Sequence, residues 1–184
     1  MTHSHNKCDF RKQCIEKLRF NSKIAKIKKD KYICSKILEQ IILHKPKKIL
    51  AYIPLHLEVN IMPLINKLRK EKICEVYVPY MVGKTFKEVK YRLPLIKKKF
   101  GIKEPYNSTL KAKIDFAIVP IVGTDETNRR VGFGRGMYDR YFEHLKPQPF
   151  KVFVQLVLCK SSTIVTSTHD IKADLIITNR KINK

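Results

Sequence analysis

The chain is poor in the features that mark membrane, secreted and metal-stapled proteins. Across its 184 residues no apolar run approaches the roughly 18 residues that spanning a bilayer requires. That excludes a membrane-spanning helix. The opening Met1-Thr-His-Ser-His-Asn-Lys7 lacks the apolar core of a secretory signal, so a cytoplasmic location is expected. Cysteine is sparse and scattered, at positions 8, 14, 34, 74 and 159, with no C-x-x-C pair and no histidine at a zinc-finger offset from two of them. Metal binding through thiolates is therefore not expected, and nothing in the pattern needs a disulfide. Cys34 and Cys74, in apolar segments, read as small buried side chains. Acidic residues are also scarce, 16 Asp and Glu against 39 Lys and Arg, leaving a net charge of +23. Such an excess concentrates anions and favours nonspecific nucleic-acid binding. The lysines, however, are spread along the chain, as at Lys26, Lys28, Lys29 and Lys31 or Lys97 to Lys99. No basic stripe with interleaved aromatics appears, so no specific nucleic-acid partner is expected.

Glycine is rare too, and its placement is informative. Of six glycines, three stand at alternate positions, Gly132, Gly134 and Gly136, inside Asn128 to Tyr141, N-R-R-V-G-F-G-R-G-M-Y-D-R-Y. Glycine lets a main chain turn sharply and approach a ligand closely. Freed amide N–H groups between guanidinium groups, leading into a helix, suit a phosphate. Asp139, one turn into that helix, suits the accompanying metal. The spacing is neither a P-loop, which needs a Lys-Ser or Lys-Thr at a fixed offset, nor a dinucleotide fingerprint. On spacing alone, a structural turn before an amphipathic helix from Tyr138 to Leu145 remains an equal reading.

Helical spacing runs over residues 7–20 and 22–43, the second with an apolar stripe of Ile24, Ile27, Tyr32, Cys34, Ile37, Leu38 and Ile41. Strands are expected at 48–53, 75–78, 88–93, 114–119, 152–157 and 175–177, with a short helix at 61–69. Helices alternating with short β-rich runs imply an α/β fold: one domain over residues 1–184, a layered α/β/α with a mainly parallel sheet flanked by helices. Residues 1–6 are expected to be a flexible start. Ligands in such sheets bind beyond the carboxyl ends of the strands, where 54–60, 79–84 and 120–136 fall.

Several segments together resemble the 5-formyltetrahydrofolate cyclo-ligase family, also called 5,10-methenyltetrahydrofolate synthetase. Its N-R-L-G-x-G-x-G-Y-Y-D-like run after a V-P strand end stands here as Val119-Pro120 and Arg130-Val-Gly-Phe-Gly-Arg-Gly-Met-Tyr-Asp139. Its K-x-x-x-R first helix is matched by Lys7 and Arg11, and its strand–loop–glutamate by Ala51 to Asn60. Phe100 to Pro105 and His169 to Ile177 also look like family landmarks. One position departs: Met137 replaces the first of two tyrosines, so any ring contact there becomes a softer sulfur contact.

The resemblance implies ATP-dependent closure of 5-formyltetrahydrofolate to 5,10-methenyltetrahydrofolate, with ADP and phosphate released. It implies ATP and Mg2+ as cofactors and a folate, possibly polyglutamylated, as substrate. Nucleotide contacts fall on Lys7, Arg11, Arg130, Val131, Gly132, Phe133, Gly134, Arg135, Gly136, Met137 and Tyr138. Folate contacts fall on Ile53, Glu58, Arg135, Gly136, Met137 and Tyr138. Arg135, Tyr138 and Asp139 are the implied catalytic residues, and Asp139 and Asp170 the implied metal ligands. A monomer or weak homodimer is expected. Read without the resemblance, Lys7 and Arg11 are a solvated helix start, Asp170 a loop or cap residue, and Glu58 as well suited to a helix start as to a pterin. Another ATP- or phosphosugar-using enzyme of similar fold and a basic nucleic-acid-binding protein remain as alternatives.

Overall fold

A computed structural model describes residues 6–98, 103–108, 112–180 and 182–183. Most of the expected flexible start, and Phe100 to Ile102 of the family-like 100–105 segment, lie outside the described residues. Helix α1, Lys7–Ser22, begins where the Asn6 side chain accepts the Cys8 N–H at 2.6 Å. It buries Phe10, Cys14 and Leu18, each four residues on from the last. Helix α2, Lys26–His44, buries Ile33, Ile37 and Ile41, and with them the charged Asp30. Ile24, Ile27 and Tyr32, expected in its apolar stripe, are exposed. The helix starts later than the periodicity suggested, and its inward face near the start is polar. Helix α3, Met62–Lys70, carries Pro63 in its first turn and is led in by Asn60, whose side chain accepts the Met62 N–H at 3.2 Å.

The strands are β1, Lys48–Leu50; β2, Glu75–Val82; β3, Thr85–Lys90; β4, Ile96–Lys97; β5, Lys103–Glu104; β6, Phe116–Pro120; β7, Gly123–Thr124; β8, Arg130–Val131; β9, Phe150–Val154; β10, Leu175–Ile177; and β11, Ile182–Asn183. Helix α4, Met137–Glu143, follows the glycine loop. The main sheet runs β11-β10-β9-β6-β1-β2-β3, parallel through its middle five strands and antiparallel at both edges. All five residues of β6 are buried, as a central parallel strand covered on both faces must be. Side chains alternate across it. Phe116, Ile118, Val152, Val154, Leu175 and Ile177 join α1, α2 and α3 in one core. Ala117, Val119, Phe153 and Ile176 join Tyr141 and Phe142 of α4 in the other. The layered α/β/α expectation holds. The strand expected over 88–93 instead forms a hairpin with a lengthened β2, turning at Gly83.

The expectation that no disulfide is needed is overturned: Cys14 of α1 is bonded to Cys159, just beyond β9. Their 145-residue separation hides the pair from any spacing rule. What joins them is the close seating of α1 on β7. A Cβ on Gly123 would come within 2.9 Å of Cys14 Sγ and of the Phe10 ring. Cys34 and Cys74 are half-buried rather than buried. Among the described residues, no helix is long and apolar enough to cross a membrane.

Candidate functional site

Two cavities open side by side beyond the carboxyl ends of β1, β2 and β6, as parallel-sheet topology favours. The first, about 300 Å³, is mostly apolar and takes in Tyr52, Ile53, Pro79, Met81, Phe86 and Met137, with Glu58, Lys103, Arg130 and Arg135 as charged members. The second, about 490 Å³, is polar and lined by Lys7, Arg11, Gly132, Gly134, Asp139 and Asp170, among others. Arg130 and Gly136 belong to both.

The loop's glycines make this arrangement possible. Gly134 and Gly136 have φ of +101° and +59°, in the region other residues rarely adopt. A Cβ on Gly132 would lie 2.3 Å from Arg130 Nη1. The guanidinium therefore packs directly against the Gly132 backbone. Arg130 is only 6% exposed, and a buried cation needs partners. Its Nε donates to the Pro120 carbonyl at 3.1 Å, its Nη1 lies 3.6 Å from Asp139, and its head stacks 4.9 Å from the Tyr138 ring centre.

From α1, Arg11 Nε donates to the Gly132 carbonyl at 2.8 Å, bracing the loop. Lys7 grips Asp170 with Nζ–O distances of 2.5 and 2.6 Å. Burial alone would raise the Asp170 carboxyl, but the Lys7 ammonium and the Ser167 donors hold it below the ordinary carboxylate value. Asp139 accepts the Ile171 N–H at 3.3 Å.

Glu58 sits in the apolar cavity, where its Oε2 accepts the Leu55 N–H at 2.8 Å. Desolvation pushes its carboxyl up to about 7, against the Leu55 bond and the charges of Arg130 and Lys26, which pull it down. The Tyr138 hydroxyl is driven far above its usual value, first by burial and then by the nearby Glu58 charge, so it stays a donor.

Lys7, Arg11, Arg130, Gly132, Gly134, Gly136, Asp139 and Asp170 thus come together in the polar cavity. Ile53, Glu58, Phe133, Arg135, Met137 and Tyr138 come together in the apolar one. Val131 lines neither; its side chain is buried in the core beneath the loop. Sequence reasoning missed Tyr52, Met81 and Phe86, because a single strand or hairpin residue carries no local sign of which face it presents. It also missed Arg140, which donates to the Lys84 and Arg135 carbonyls and ties the β2–β3 hairpin to the glycine loop. Thr85 reinforces that tie through the Met137 carbonyl at 3.2 Å.

Comparison with known proteins gives a concordant picture. Residues 3–179 match the 5-formyltetrahydrofolate cyclo-ligase family. The 5-formyltetrahydrofolate cyclo-ligase of Mycoplasma pneumoniae is 28% identical over 169 residues, 91% of this chain and 94% of that protein. The NMR structure of Aquifex aeolicus 5,10-methenyltetrahydrofolate synthetase superposes with a TM-score of 0.78 at 26% identity, covering 97% of this chain and 92% of that one. The Mycoplasma pneumoniae 5,10-methenyltetrahydrofolate synthetase shares the fold, with a TM-score of 0.71 at 24% identity over 93% of this chain and 97% of its own.

Proposed function

Because the chain belongs to the 5-formyltetrahydrofolate cyclo-ligase family, we propose that it converts 5-formyltetrahydrofolate to 5,10-methenyltetrahydrofolate at the expense of ATP. On this reading the apolar cavity takes the pterin and the polar one the triphosphate. The observation that carries it is the sharing of Arg130 and Gly136 by the two cavities. A formyl oxygen in one and a γ-phosphoryl group in the other then meet at one buried cation.

The formyl oxygen attacks the γ-phosphorus, and ADP leaves. The 10-nitrogen adds to the formyl carbon; its proton is lost, the carbon–oxygen bond breaks and phosphate departs, leaving the N5–CH–N10 bridge of the product. Such chemistry rests on alignment and charge neutralisation. The glycine-loop amides, Arg130 and Arg135 face the phosphoryl group. Lys7 and Arg11 reach the phosphates from α1. Tyr138 holds the Arg130 head in place. Glu58 accepts N–H groups from the pterin edge, a pairing a carboxylate makes in bidentate fashion. Ile53 and Met137 supply apolar contact.

Magnesium, when bound with the nucleotide, neutralises phosphate charge; it takes few protein ligands and completes its shell with phosphate oxygens and water. No cluster of three or more acidic, histidine or cysteine side chains exists among the described residues to cage a metal. The donor set fits such an ion through Asp139. Asp170, expected beside it, is engaged by Lys7; we assign it the holding of that lysine. A neighbouring cavity, lined by Lys26, Pro54, His56 and Met62, shares Ile53, Leu55, Glu58 and Lys103 with the apolar one. A glutamate tail of the folate lies toward His56 and Lys103, so the rate advantage of longer tails is expected to grow at low salt and vanish at high salt. The same reading keeps one domain, a monomer or weak homodimer, acting in the cytoplasm.

The test is absorbance in the methenyltetrahydrofolate band as protein meets 5-formyltetrahydrofolate, magnesium and ATP. The rise requires ATP and is lost in Asp139→Asn. A protein that binds nucleotide yet gives no rise refutes the folate assignment.

A further inference from the structure

Glu58 lies on a loop, yet four backbone groups between Glu58 and Asn60 are held by side chains from elsewhere. Lys26 Nζ donates to the Glu58 carbonyl at 3.0 Å. The buried Tyr52 hydroxyl donates to the Val59 carbonyl at 2.9 Å. Asp30 Oδ1 accepts the Asn60 N–H at 3.1 Å. The Cys34 thiol reaches the Asn60 carbonyl at 3.5 Å.

Three of these four groups come from α2 at positions 26, 30 and 34. That spacing places them on one face of the helix, which explains the polar start of its inward side. Lys26 and Asp30 are themselves paired at 2.9 Å. Asp30 is 9% exposed, and a buried carboxylate is costly unless partnered. An apolar residue would pack in its place more cheaply. What Asp30 supplies and an apolar residue cannot is an acceptor for Asn60 and an anchor for the Lys26 head.

We infer that Lys26 and Asp30 are positioning residues for substrate recognition: α2 fixes the 58–60 backbone and so aims the Glu58 carboxylate into the apolar cavity. This rests on the folate reading of that cavity, but the anchoring itself does not. Neither residue touches the nucleotide cavity, so the effect is confined to one substrate. Recognition by a bidentate carboxylate is sensitive to small displacements. Freeing the loop costs about tenfold in folate KM.

The experiment compares Asp30→Ala, Asp30→Asn and Lys26→Met with the wild type by amide hydrogen exchange and by steady-state kinetics. In Asp30→Ala and Lys26→Met, exchange over residues 55–60 speeds up while that of the glycine loop is unchanged. The KM for 5-formyltetrahydrofolate rises about tenfold and the KM for ATP stays within about twofold. Asp30→Asn keeps an oxygen for Asn60 and recovers most of the loss. Lys26→Met, at the first turn of the helix, serves if Asp30→Ala fails to fold. Unchanged exchange over 55–60, an unchanged folate KM, or equal rises in both KM values overturns the inference. A wild type without turnover removes the folate reading, and exchange still decides the anchoring.

Discussion

Replacing Glu58 by glutamine tests the physical description of the apolar cavity without any ligand. The carboxyl is raised from the ordinary 4.5 to about 7, chiefly by desolvation. Each tenfold change in proton affinity is worth about 1.4 kcal/mol. The displacement therefore corresponds to about 3 kcal/mol of stability that depends on pH. The sign follows from proton binding: between 4.5 and about 7 the folded state holds the proton and the unfolded state has lost it. Stability from this group is complete below the lower value, falls as pH rises, and is gone above the upper one. Glutamine is neutral throughout and can still accept the Leu55 N–H. Urea unfolding across pH 5 to 8 is the assay. The variant is expected to lie within about 1 kcal/mol of the wild type near pH 5 and to exceed it by up to about 3 kcal/mol near pH 8. A gap that does not change with pH, or a wild type that is the more stable at pH 8, refutes the desolvation argument. Folate affinity should move the other way. Only the ionised carboxylate accepts two N–H groups, so the folate KM of the wild type falls as pH rises through 7.

Gly132→Ala forces a methyl group against Arg130 Nη1 at 2.3 Å, and the guanidinium cannot retreat without losing its bond to the Pro120 carbonyl. Overpacking of this kind costs about 1–3 kcal/mol, and displacing the shared cation lowers kcat/KM about 100-fold; wild-type turnover with an unchanged urea midpoint would disprove the packing described. Reducing the Cys14–Cys159 bridge opens a long loop and lowers stability by about 3 kcal/mol. A thiol reductant should lower the urea midpoint of the wild type and leave a doubly substituted Cys14→Ser, Cys159→Ser protein unmoved. No effect on the wild type would show that the bridge contributes nothing to stability.

What was legible in the sequence was what is encoded locally. The glycine loop announces itself because its chemistry lies within one short segment, where glycine readily takes a positive φ and leaves room for Arg130. β6 was legible because a central parallel strand reads as a continuous apolar run. Long-range features were not. Cys14 and Cys159 meet through the seating of α1. The β2–β3 hairpin is obscured because a proline at 79 reads as a strand end, yet Pro79 sits within the strand, paired with Glu88. Asp30 gave no signal, since a lone acid in a lysine-rich helix looks solvated until the fold brings Asn60 to it. Tyr52, Phe86 and Met81 line the cavity only because three strands end side by side.

Arg130 has a further thermodynamic meaning. It faces both cavities, and its charge is among the influences that favour the ionised form of Glu58. An anion in the polar cavity draws on the same cation and weakens that support. The occupant of each cavity is thus made aware of the other without any movement of the chain. Reciprocity then fixes a quantitative identity: whatever factor a non-hydrolysable ATP analogue imposes on folate affinity, the folate imposes on the analogue. On the proposed reading, two substrates that share one buried guanidinium are partners in an equilibrium before they are partners in a reaction.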